Sequence, residues 1–169
     1  MDSKLLKQLY ETYAREIYLY IYSFCHSHSM AEDIRQETFL KAILSLSNQH
    51  TNMKAWLYMV ARNLSINAIK KEKRVCHIKE IESIDEIGLY NETVLHTVLT
   101  NERNQLLYRA LDKLPARKKE ILILQHFGQL SHKEIATILH ITPENVRVLS
   151  YRAKKELKLY LEENGYDIS

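Results

Sequence analysis

Three sets of side chains in this sequence have types and spacings that could do chemistry. Asn63, Asn67, Lys70 and Arg74 fall at i, i+4, i+7 and i+11, one strip of a helix, with Lys71 and Lys73 beside them. An asparagine amide can pair with a base edge, and lysine or arginine with phosphates, so this strip suits nucleic acid. Basic C-terminal turns also complement the helix dipole, which gives part of that charge a structural use. Further along, Glu144, Arg147, Val148, Tyr151, Arg152 and Lys155 share one helix face, with Asn145 next to them. Arginine can pair with guanine through two hydrogen bonds, and Tyr151 could pack on a thymine methyl or a sugar, so this face suits a major groove. Near the N-terminus, Asp33, Gln36, Glu37 and Leu40 form a polar strip containing one leucine, suited to a docked protein or simply to solvent.

Other chemistries find less support. Cys25, His26, His28, Cys76 and His77 are zinc-ligand types, but their spacing matches no regular closed site. The sequence has no glycine-rich phosphate loop, metalloprotease helix motif or nucleophile elbow, so neither an enzyme nor a cofactor is expected. Two cysteines are too few for a disulfide framework, and no apolar run is long enough for a membrane span, so a cytoplasmic setting is expected.

Helices must position these groups. Among 169 residues only three are glycine and two proline, so breakers are scarce and an all-α fold is expected. Leu6, Leu9, Tyr13, Ile17, Tyr20 and Phe24 recur at steps of three and four on a first helix. Ser29 with Glu32 reads as a capping box that starts a second helix at Met30, whose Ile34, Thr38 and Ala42 face inward. After a polar loop at 45–52, a third helix from Met53 to Arg74 would bury Leu57, Ala61, Leu64 and Ala68.

Pro115 suits the first turn of a later helix that stops near Gly128. Ser131 with Glu134 is another capping box, opening a short helix with Ile135, Ala136 and Leu139. The turn His140-Ile141-Thr142 follows, Thr142 capping a final helix from Pro143 to about Leu161 that buries Val146, Leu149, Ala153 and Leu157. A short helix, a tight turn and a helix with a basic, aromatic outer face make a helix-turn-helix.

Charge follows the same division. Residues 1–74 carry a net +4, residues 75–100 a net −4 and residues 101–169 a net +3. Two basic blocks across an acidic spacer suit two modules that meet one polyanion or one large partner. The predicted organisation is therefore two small helical domains, 1–74 and 101–169, joined by an acidic linker, 75–100.

With these residues located, the sequence resembles the bacterial sigma factors of the extracytoplasmic-function group. The stretch Ala31–Ala42 is similar to that family's core-polymerase-binding helix, and Trp56–Leu64 to its downstream-promoter helix. Leu111–Pro115, Glu134–Ala136, Val146–Arg147 and Tyr151–Ala153 are similar to its upstream-promoter module. The resemblance implies that Asp33, Gln36, Glu37, Phe39 and Leu40 dock on core RNA polymerase. It implies that Trp56, Asn63, Asn67, Lys70, Lys71 and Arg74 meet the downstream promoter element, the loop before Trp56 holding a flipped base. Asn145, Arg147, Val148, Tyr151, Arg152 and Lys155 would meet the upstream element.

Promoter DNA and core polymerase are the implied partners, together with an inhibitory anti-sigma factor, often membrane-anchored, and no small-molecule substrate. The sequence departs from the family pattern at Val148 and Leu149, which replace a small polar residue and an arginine. The Cys25–His28 loop also lacks the usual glycine and aspartate. The alternative of an autonomous helix-turn-helix regulator leaves the first block of residues without a purpose.

Overall fold

The computed structural model describes residues 3–45, 52–76 and 102–165. Every regular element among them is an α-helix, as expected, and the chain divides into two compact units, Met1–Glu92 and Thr93–Ser169. The polar loop after Ser45 falls largely outside the described residues. So do His77, nearly all of the acidic linker, and the side chains of Arg74 and Cys76.

The first unit is three helices, α1 (Ser3–Cys25), α2 (His28–Ser45) and α3 (Met53–Cys76), each packed on the other two. Ile17, Tyr20 and Ile21 of α1, Ala31 and Ala42 of α2, and Leu57, Tyr58 and Ala61 of α3 are fully buried. Burial on α1 is concentrated in its C-terminal half, where Tyr18 and Tyr22 also go under, while Leu6 and Leu9 are only half-covered. Ile34, Thr38 and Ala42 face inward as predicted, and Thr38 Oγ1 satisfies itself by donating to the Ile34 carbonyl at 2.7 Å.

Two local expectations are corrected here. The start of α2 is capped by Ser27, whose Oγ accepts from the Met30 amide at 3.3 Å, so the helix begins at His28 and Ser29 lies inside its first turn. On α3, Leu57 and Ala61 are buried, but Leu64 and Ala68 are half-covered, and Tyr58 and Ser65 take the interior instead. Ser65 Oγ donates to the Ala61 carbonyl at 2.7 Å and Tyr58 Oη to Glu16 at 3.1 Å, so neither hydroxyl is stranded.

In the second unit α4 (Glu102–Asp112), α5 (Ala116–His126) and α6 (His132–Leu139) all pack on α7 (Pro143–Glu163). Leu111, Leu114, Leu122 and Ala153 form a buried cluster covered by Leu107, Phe127 and Leu157. Pro115 sits one position outside α5, with extended backbone at ψ 147°. The helix stops at His126, near Gly128 as expected, and the Gly128 N–H returns to the Ile123 carbonyl at 3.2 Å; the left-handed residue, however, is Gln129, φ 50°, and Leu130 N–H returns to the Leu124 carbonyl. No helix among the described residues is long and apolar enough to cross a membrane.

Candidate nucleic-acid interface

The best-defined candidate site is the outer face of α7, and local chemistry fixes where it starts. Ser131 accepts from the Glu134 amide at 3.1 Å while the Glu134 carboxylate accepts from the Ser131 amide at 2.9 Å, a complete capping box. His140 then turns left-handed at φ 58°, sending the chain sharply into Thr142. Thr142 Oγ1 accepts from the Asn145 amide at 3.1 Å, and Pro143 occupies the first helical position.

Tertiary bonds then set the rotation of α7. Val146 and Ala153 are fully buried, and Ser150 donates to Gln125 of α5. Lys118 of α5 pairs with Glu156, and Arg117 donates to the Leu139 carbonyl at the end of α6 at 3.5 Å. These partners lie 22 to 38 residues apart, beyond any local sequence signal, and the sequence reading missed them.

With that rotation fixed, Glu144, Asn145, Arg147, Val148, Tyr151, Arg152 and Lys155 are all exposed. Tyr151 is 67% and Val148 39% exposed. A recognition helix needs such a face, because a side chain must leave its own domain to reach base edges.

The other two predicted sets occupy the first unit. Asn63, Asn67, Lys70, Lys71 and Lys73 of α3 are exposed, whereas Trp56 near its start is half-buried. Asn52 prepares that start, its Oδ1 accepting from the Ala55 amide at 3.2 Å. On α2, Asp33, Gln36, Glu37 and Leu40 share an exposed strip, Leu40 at 55%, and Leu44 extends it at 75%. Phe39 does not belong to that surface. It is buried against the edge of Tyr10, 5.0 Å between ring centroids, and its size serves the α1–α2 contact.

The cysteine and histidine turn is engaged in packing. His28 Nδ1 meets Tyr18 Oη at 2.6 Å and its Nε2 lies 3.5 Å from Glu32, while Cys25 Sγ donates to the Ser27 carbonyl at 3.4 Å. Burial pushes the Cys25 thiol above its ordinary range, opposite to the shift that makes a reactive thiolate or a ready metal ligand. Among the described residues no group of three or more histidine, cysteine or acidic side chains could hold a metal ion. Sequence patterns also missed the group around Arg35, which reaches Glu32 at 3.6 Å and lies over the Tyr18 ring at 5.2 Å.

Comparison with known proteins gives this geometry a context. The model of sigma-70 region 2 matches residues 9–75, and that of sigma-70 region 4 matches residues 104–157. The chain is 30% identical to the ECF RNA polymerase sigma factor SigM of Bacillus subtilis, over 90% of this chain and 93% of that protein. It is 27% identical to SigW of the same organism, over 96% and 91%. Its fold is similar to that of the sigma factor RpoE from Bartonella quintana, solved with the anti-sigma factor NepR. That match has a TM-score of 0.71 and 22% identity, covering 94% of this chain and 98% of the other.

Two sigma-70 regions in order, together with 30% identity over nearly the whole length of a member, place the chain in the extracytoplasmic-function group of the sigma-70 family: it is a dissociable transcription initiation factor that binds core RNA polymerase and directs it to promoters.

Proposed function

We propose a division of labour among the three exposed faces. Residues 1–74 form the domain that docks on core polymerase and reads the downstream element. Residues 101–169 form the domain that reads the upstream element, and residues 75–100 set the spacing between them. Asp33, Gln36, Glu37 and Leu40 are the polymerase contacts, with Phe39 holding their helix in place from beneath. Asn63, Asn67, Lys70, Lys71, Arg74 and Trp56 meet the downstream element. Asn145, Arg147, Val148, Tyr151, Arg152 and Lys155 meet the upstream element. The observation that carries this reading is the two-sidedness of α7: its buried Val146, Ser150 and Ala153 oblige the opposite arginines and tyrosine to face outward.

Each DNA-reading module offers few base contacts and binds weakly alone. Carried together on polymerase, the second contact becomes intramolecular, and the pair gains affinity without any new bond. Bond formation is left to the polymerase; extruding and capturing a base offsets part of the cost of opening the duplex. The solved structures of similar fold include the sigma factor RpoE in complex with the anti-sigma factor NepR. An anti-sigma protein covering these exposed faces is the regulator we expect for this chain, in the cytoplasm or at the inner face of the membrane.

Promoter binding by holoenzyme tests the upstream assignment. Arg147→Ala and Arg152→Ala should each weaken it by about 1.5–3 kcal/mol, the worth of a hydrogen bond to a charged group, while leaving the affinity for core polymerase unchanged. Equal loss of core binding would refute it.

A further inference from the structure

The rotation of α7 orders its reading face in a way that residue types alone do not. At roughly 100° per residue, with Val146, Ser150 and Ala153 turned inward, the direction opposite the core runs through Glu144, Val148, Tyr151 and Lys155. Arg147 lies to one side of that line and Arg152 to the other. The middle of the face therefore holds an apolar pair three residues apart, Val148 and Tyr151, both exposed, with a guanidinium on each flank. Side chains at the middle of a helix laid along the major groove point at base edges, and those on its flanks lean toward the phosphate walls.

An exposed branched aliphatic beside an exposed tyrosine gains nothing from water, and in the groove the one apolar group on a base edge is the thymine C5 methyl. Valine is also stiff at χ1, so its methyls are presented without much loss of freedom. We propose that Val148, supported by Tyr151, is a specificity-determining residue that reads thymine methyl groups in the upstream element, while Arg147 and Arg152 hold the flanking backbone. This rests on α7 being the upstream-element reader.

Uracil differs from thymine only in lacking that methyl, so it isolates the contact. Holoenzyme made with the full chain is used to select duplexes randomised over six upstream base pairs beside a fixed downstream element. The selected duplex is then resynthesised with uracil at each thymine of the element in turn. Replacement of at least one thymine should weaken wild-type binding by about fourfold, the worth of one buried methyl. Val148→Ala holoenzyme should bind the thymine and uracil duplexes equally, and Arg147→Ala should weaken both by the same factor. Selection of an element without thymine on either strand, or equal wild-type binding to both duplexes, overturns the proposal. So does a Val148→Ala protein that keeps the fourfold preference. If neither Arg147→Ala nor Arg152→Ala weakens binding to any duplex, the assignment of α7 to the upstream element fails first, and this inference with it.

Discussion

Glu16 accepts the Tyr58 hydroxyl where α1 meets α3, and burial pushes its carboxyl above the usual 4.5, outweighing the opposing pulls of that bond and of Lys54. A raised carboxyl binds an extra proton in the folded state. Its contribution to stability is fully present below pH 4.5 and is lost as pH rises through the folded value. Glu16→Gln keeps an acceptor for Tyr58 and removes the charge. The variant should melt at an equal or higher temperature at pH 7, with a flatter dependence of Tm on pH above 4.5, as followed by thermal melts across that range. His126 runs the other way: burial, then Lys154, lowers it from 6.5, so the stability it contributes is present above that pH and lost as pH falls. Neither shift was legible beforehand, because Glu16 and Tyr58 are 42 residues apart in the chain. Exposure of Arg147, Tyr151 and Arg152 was legible, since one helix's periodicity decides it.

Among the helices, what could be read and what could not divides along the same line. The caps at Ser131 and Thr142 were legible because a cap is a bond between residues three apart, written into the local sequence. Ser131→Ala and Thr142→Ala should each destabilise the second unit by about 1 kcal/mol in chemical denaturation. Thr142→Ala should further weaken promoter binding by loosening the start of the recognition helix; a loss confined to stability would separate the cap from the site. The interior of α3 was not legible. Tyr58 and Ser65 look polar in sequence, and only a bond to Glu16 and a bond to the Ala61 carbonyl let them displace Leu64 and Ala68 from the centre. The end of α5 near Gly128 was legible, but not its geometry, because Gln129 rather than the glycine takes the left-handed turn. At α2 the right type of cap was expected two residues late, because Ser27 and Ser29 both offer a hydroxyl and only the packed structure selects Ser27.

For the whole molecule, the proposed function joins two weak DNA readers through one strong carrier, the polymerase. Asp33, Gln36, Glu37 and Leu40 are exposed on α2, opposite the buried Ile34, Thr38 and Ala42, so the contact proposed for them can be removed without touching the core. Asp33→Ala combined with Gln36→Ala should lower the yield of core polymerase in a pull-down at least tenfold, with no change in Tm. Unchanged yield would mean that another face docks. The most direct test of the central claim is run-off transcription from a cognate promoter by core polymerase, with and without the full chain. A specific transcript should appear only when the chain is added, and should be lost with the Asp33→Ala, Gln36→Ala double variant. A transcript of equal strength from core polymerase alone, or none from wild-type holoenzyme, would contradict it.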